Sequence, residues 1–213
     1  GMSPDLSCYL VLDAALCGEA GLAETARAAV AGGAGAVQLR LKDVSTAERV
    51  AAGRAVQAAI AGRAAFIVND DVEAALALGA DGVHVGQGDM PASEVRARIG
   101  PERLLGLSVE TVAQARAVDP AVVDHVGAGP VRATGTKPGH ADPVGWDGLA
   151  EMIAASPVPA VAIGGVKAAD AGEAVRAGAV GLAVVSAICG RPDPEAEARA
   201  IVDAMRAARG VAA

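Results

Sequence analysis

Eight short runs of aliphatic and β-branched residues recur along the chain, at 8–12, 36–41, 65–68, 82–85, 104–107, 124–127, 159–163 and 180–185. An alanine-rich stretch of helical period follows each, at 22–31, 46–61, 71–78, 92–99, 111–117, 146–154, 168–177 and 195–209. Strand and helix alternating in this way predict parallel strands joined by crossover helices. Eight such units close into a single (β/α)8 TIM barrel with its helices outside. The competing architecture is an open doubly wound sheet, whose first strand usually runs into a G-x-G-x-x-G turn. Asp13-Ala14-Ala15 stands there instead. The pairs Gly35-Ala36, Gly79-Ala80 and Gly178-Ala179 each precede a strand and read as helix C-caps turning into it.

Nothing in the 213 residues divides the chain, so one domain over 1–213 is expected, with Gly1 a tag remnant and the tail after about 210 frayed. Hydrophobic residues make up 53% and aromatic residues 1%, so alanine, valine, leucine and isoleucine must fill the core. The net charge of −7, without a basic stripe or stacking surface, argues against nucleic acid as a partner. The longest uncharged runs fall short of a membrane span and carry proline or glycine. Cys8, Cys17 and Cys189 show no paired spacing, which fits a reducing cytoplasm and argues against zinc. A homodimer is compatible with all of this.

Barrel sites form at the carboxyl ends of the strands. The second run, V-Q-L-R-L-K, places Gln38, Arg40 and Lys42 on one face. Unpaired cations inside a barrel are costly, so this face predicts an anion site, with an edge strand bearing one wet face as the alternative. Ser45 and Glu48 spell a capping box that starts the next helix. The third run ends in Asn69-Asp70-Asp71, where Asp70 with Glu73 also reads as a helix N-cap. The fourth run enters Gly86-Gln87-Gly88-Asp89.

Neighbouring strands lie about 4.8 Å apart, so Asp70 and Asp89 can converge. Two carboxylates facing a bound polyanion repel it by roughly 4 kcal/mol per charge pair at 4 Å and an effective dielectric near 20. A divalent ion between them removes the conflict, and oxygen ligands suggest Mg2+ bridging to phosphates.

Ser108 closes the fifth run, either as a helix cap or as a hydrogen-bonding group in the mouth; His84 reads as a core or supporting histidine. The stretch 126–138, VGAGPVRATGTKP, offers Thr134, Gly135, Thr136 and Lys137 as an oxyanion cradle, with a surface loop carrying a solvated lysine as the alternative. The seventh and eighth runs end in Gly164-Gly165 and Val185-Ser186, where barrels commonly hold a phosphate on backbone N–H groups. A magnesium-linked diphosphate on strands two to four, and a monophosphate on strands seven and eight, describe a two-substrate site.

These residues carry a resemblance. QLRLK at 38–42, NDDVEAALALGADGVHVGQGD at 69–89, TGTKP at 134–138, AIGGV at 162–166 and VVSAI at 184–188 together resemble the thiamine phosphate synthases. The resemblance implies a (β/α)8 barrel that joins hydroxymethylpyrimidine diphosphate to hydroxyethylthiazole phosphate, releasing pyrophosphate and thiamine phosphate. It implies that Gln38, Arg40, Lys42, Asn69, Ser108 and Lys137 hold the pyrimidine substrate, with Arg40, Lys42, Lys137 and Ser108 carrying the catalysis. Asp70 and Asp89 then bind Mg2+, and Thr134, Gly135, Thr136, Gly165, Val185 and Ser186 surround the thiazole phosphate. A dissociative displacement through a pyrimidinyl cation is implied as well. The thiazole tautomerase paralogue is the nearest alternative, but its catalytic histidine follows the sixth strand, where this chain has Gly129-Pro130-Val131. A barrel that only binds phosphorylated ligands is the other. Relatives usually carry Phe-Pro where Arg132-Ala133 stands. Arg132 is expected to add an anion contact or to point to solvent, with little effect when removed.

Overall fold

A computed structural model describes residues 3–134 and 141–210. Its strands are β1 (Cys8–Leu12), β2 (Ala36–Leu39), β3 (Ala65–Asn69), β4 (Gly82–Val85), β5 (Leu104–Val109), β6 (His125–Ala128), β7 (Ala160–Ala162) and β8 (Gly181–Val184). They pair in chain order, all parallel, and β8 returns to β1 to close a barrel. The helices are α1 (Ala14–Cys17), α2 (Gly21–Ala31), α3 (Thr46–Ile60), α4 (Val72–Leu78), α5 (Ala92–Ile99), α6 (Val112–Arg116), α7 (Gly145–Ala155), α8 (Ala171–Ala177) and α9 (Pro194–Ala208). None of the helices among the described residues is long and apolar enough to cross a membrane.

Alternation along each strand divides the apolar residues into two layers. Tyr9, Val11, Ala36, Ala65, Ile67 and Val161 belong to the barrel interior. Leu10, Leu12, Val37, Leu39, Phe66 and Val68 face outward, into the shell packed by the helices. A strand covered on both faces must be apolar on both, which explains the unbroken hydrophobic runs. Alanine at several inward positions lets so narrow a barrel close with one phenylalanine and one tyrosine in the whole chain.

Helix starts lie just beyond strand ends and keep the mouth in place. Ser45 accepts from the Glu48 N–H at 3.1 Å, Asp71 from the Ala74 N–H at 2.9 Å and Thr111 from the Gln114 N–H at 3.1 Å. The cap of α4 is therefore Asp71 and not Asp70, which leaves the Asp70 carboxylate available to the mouth. Ser108 is no cap either; it lies within β5. Gly79 and Gly178 are left-handed C-caps as expected. Gly35 is not: α2 ends at Ala31 and is capped by Gly32, and a side chain at Gly35 would collide with the Asp5 carbonyl.

β2 is shorter than its sequence pattern. It stops at Leu39, so only Gln38 of the three polar residues points into the barrel, and Arg40 and Lys42 stand at the rim. The cost of burying two cations is thereby avoided. Arg49, on α3, holds this rim. It donates to Leu41 O at 2.7 Å and to Asp71 Oδ2 at 2.6 Å. Burial alone would raise the Asp71 carboxyl, but bonds from Ala74 N–H, Thr46 and Arg49 hold it below the usual range.

Candidate active site

A cavity of about 590 Å³ opens at the carboxyl ends of the strands. Gln38, Arg40, Lys42, Asn69, Asp70, Asp89, Ser108, Thr134, Gly165, Val185 and Ser186 all line it, so residues up to 148 positions apart in sequence share one space. Gly135, Thr136 and Lys137 lie outside the described residues.

One side of the cavity carries the charges. Asn69 is the last residue of β3, and Asp70 follows with φ 63°, a left-handed conformation that costs a non-glycine residue energy. The Asp70 N–H donates to His84 O at 2.9 Å, which ties this turn to β4. Lys42 donates to Asn69 Oδ1 at 2.7 Å and to Asp70 Oδ2 at 2.6 Å. Asp89 accepts from the Gly86 N–H at 2.8 Å. Its carboxyl is raised above the usual range, first by burial and then by the adjacent Asp70 carboxylate; the Gly86 N–H and Lys42 oppose the shift. The two carboxylates, 19 residues apart, do converge on one side of the mouth. Arg40 lines the cavity and forms no hydrogen bond or ion pair with the described residues, so its guanidinium is free to meet an anion.

A polar column continues below. His84 Nε2 and Ser108 Oγ are 2.8 Å apart, and Gln87 donates to Ser108 O at 3.0 Å. Gln38 donates to the buried Tyr9 hydroxyl at 2.9 Å. Burial drives the His125 imidazole down to about 4, so it is neutral near pH 7. His84 thus supports Ser108, as its place inside a strand suggested.

The opposite side is a backbone cradle. Gly164 and Gly165 have φ values of 105° and 68°, which turn the chain sharply after β7. No described residue accepts a hydrogen bond from the N–H groups of Gly165, Val166, Ser186 or Ala187. Gly165, Val166 and Ser186 line the cavity, and backbone donors so placed suit an anion. Ser186 adds a hydroxyl to them.

Sequence reasoning missed three polar side chains that line the cavity, Gln87, Glu110 and Gln114. Gln87 lies in the glycine loop already singled out and could have been nominated with it. Glu110, whose N–H donates to Gln114 Oε1 at 2.8 Å, has no comparable local signal. Arg132 is not among the residues that line the cavity, and its side chain stays 43% exposed. Its guanidinium donates one hydrogen bond to each Asp170 oxygen, both at 2.7 Å, and one to Gly165 O at 2.9 Å.

Fold and site together define a (β/α)8 barrel with a cation–carboxylate cluster and a glycine turn at one mouth. The family described as thiamine monophosphate synthase matches residues 8–188. The chain is 49% identical to the thiamine-phosphate synthase of Laribacter hongkongensis, covering 92% of this chain and 93% of that protein. It is 47% identical to that of Xanthobacter autotrophicus, over 96% and 98% of the two chains. A solved thiamine phosphate pyrophosphorylase from Pyrococcus furiosus superposes with a TM-score of 0.85 at 32% identity, covering 96% of this chain and 97% of the other. The chain belongs to the thiamine monophosphate synthase family, and the tautomerase and binding-only alternatives are not favoured.

Proposed function

We propose that this chain couples hydroxymethylpyrimidine diphosphate to hydroxyethylthiazole phosphate, with the diphosphate at Arg40, Lys42, Asn69, Asp70 and Asp89 and the thiazole phosphate at Gly165, Val166 and Ser186. One observation carries the reading: the charged cluster and the backbone cradle line opposite sides of a single cavity.

The reaction moves no proton. The bond between the pyrimidine methylene and the diphosphate oxygen breaks, and its electron pair leaves with pyrophosphate. The thiazole nitrogen then supplies the pair for the new C–N bond. Negative charge therefore grows on the leaving group, where Arg40 and Lys42 stand, and fixed cations there lower the barrier. Asn69 holds the Lys42 ammonium in position. Ser108, oriented by His84 and Gln87, is placed to fix the pyrimidine. The cradle across the cavity holds the thiazole so that its nitrogen meets the methylene as the diphosphate departs. No general base is required, and none is nominated; Thr134, Gly135, Thr136 and Lys137 complete the proposed site.

The family implies a divalent ion. Among the described residues no group of three or more histidine, cysteine, aspartate or glutamate side chains could hold a metal, so a closed protein cage is not part of the reading. The crowded Asp70 and Asp89 carboxylates nevertheless suit Mg2+, which takes one or two carboxylates and completes its shell with phosphate oxygens and water. When bound there, it would neutralise charge on the diphosphate.

On this reading the partners are two phosphorylated small molecules, and a reducing cytoplasmic setting suits three buried free cysteines. The test is a reaction with both substrates and magnesium, followed by oxidation of thiamine phosphate to its fluorescent thiochrome. Product that requires both substrates supports the proposal. Pyrophosphate release without the thiazole would show a hydrolase instead.

A further inference from the structure

We infer that Arg132 is a positioning residue for the thiazole phosphate, acting through the peptide planes of the Gly164–Val166 turn; the inference rests on the reading of that turn as the phosphate cradle. The argument begins with the backbone. Val131 N–H donates to Ile163 O at 2.9 Å, and Arg132 N–H donates to Gly164 O at 3.0 Å. The Arg132 side chain continues this ladder by one step, Nη1 donating to Gly165 O at 2.9 Å. Two consecutive carbonyls of the turn, Gly164 and Gly165, are thus held by one residue.

In a trans peptide the C=O and N–H point in opposite directions. Drawing the Gly164 carbonyl towards Arg132 turns the Gly165 N–H away from it, and drawing the Gly165 carbonyl does the same for the Val166 N–H. Gly165 and Val166 line the cavity, whereas Arg132 does not. The two N–H groups are therefore directed to the cavity side, and no described residue accepts from either.

The guanidinium is itself fixed from three directions. Asp170 takes both terminal nitrogens at 2.7 Å and is 6% exposed. Its Oδ2 also accepts from the Lys167 N–H at 2.9 Å, which anchors the far end of the turn. The Trp146 ring lies 5.9 Å from the guanidinium carbon. Packing leaves the turn little freedom to compensate, since a Cβ on Gly165 would stand 3.2 Å from the Arg132 Cβ. A planar fork can bridge Asp170 and a carbonyl at once; a lysine ammonium is a single point of charge and holds neither plane as firmly.

The experiment is a calorimetric titration of thiazole phosphate into wild-type enzyme and the Arg132→Ala, Arg132→Lys and Asp170→Asn variants, with steady-state constants for both substrates alongside. Arg132→Ala should weaken thiazole phosphate about tenfold, the scale of one charge-assisted hydrogen bond lost. The KM for the pyrimidine diphosphate and kcat should stay within about twofold, because their residues lie across the cavity. Arg132→Lys should recover part of the loss, and Asp170→Asn, which keeps one acceptor oxygen, should fall between. Unchanged affinity in all three variants overturns the inference, as does an equal loss for both substrates. Should Arg132→Ala not fold, the ordering of the other two variants decides. Wild-type enzyme that binds thiazole phosphate but forms no thiamine phosphate refutes the proposed reaction, while a tenfold difference in binding still upholds the role of Arg132.

Discussion

Placing a methyl group on Gly164 tests how rigid the cradle is. At φ 105° an added Cβ would lie 2.7 Å from Cα and Cβ of Pro130 and 2.7 Å from the Val131 nitrogen. Carbon atoms normally rest about 3.5–4.0 Å apart, so something must move. Pro130 and Val131 are poorly placed to do so. Val144 N–H donates to Pro130 O at 2.8 Å and Gly145 N–H to Val131 O at 3.0 Å, while Val131 N–H is held by Ile163 O. The backbone conformation itself costs an alanine about 1–3 kcal/mol, and forced overpacking adds about 1–3 kcal/mol. Gly62 provides the control, with φ 73° and nothing within 4 Å of an added Cβ; Gly62→Ala should lose only the conformational part, about 1–2 kcal/mol. Gly164→Ala should therefore be the less stable of the two by about 2 kcal/mol, or about 4–8 °C in Tm for a chain of this length. Urea unfolding followed by circular dichroism measures both variants, and thiazole phosphate binding should weaken in Gly164→Ala alone. Equal stability losses, or a loss at Gly164 without any change in thiazole phosphate binding, would refute the picture of a cradle braced against the turn after β6.

Three further outcomes follow from the same geometry. Asp89→Asn should raise Tm slightly in metal-free buffer, because it removes a like charge beside Asp70, yet it should abolish most magnesium-dependent thiochrome formation; a variant as active as wild type would remove Asp89 from the site. Ser186→Ala should raise the KM for the thiazole phosphate several-fold with little effect on the pyrimidine diphosphate, and the reverse selectivity would exchange the two pockets. The Asp170 carboxyl is held below its ordinary 3.8, chiefly by its bonds from Arg132. A depressed carboxylate contributes stability that is complete above its unfolded value and lost as pH falls through the folded one. Wild-type Tm should therefore exceed that of Arg132→Ala at pH 7, and the gap should narrow below about pH 4 in melts across that range; a gap independent of pH would show that the lost stability is not electrostatic.

Much of the molecule was legible in the order of its residues. Strand and helix periods alternate strongly enough to specify the barrel, because each depends on neighbours two to four positions away. Ser45 announced the start of α3 for the same reason. The glycine turns and the charged strand ends were visible as motifs, and the residues among them that the structure describes do line one cavity.

Other features took shape only when the barrel closed. The sequence offered Asp70, with Glu73 three residues on, as the cap of α4; the structure gives that place to Asp71, while Asp70 adopts a left-handed turn and meets Lys42 from 28 residues away. β2 ends at Leu39 because its polar continuation is drawn to the rim, where Lys42 meets Asn69 and Asp70 and Arg49 takes Leu41 O. Arg132 is the clearest case, for its partner Asp170 lies 38 positions away on the far side of β7. Local periodicity is written in adjacent residues, but a charge finds its partner through the three-dimensional path of the chain, and that path exists only after folding.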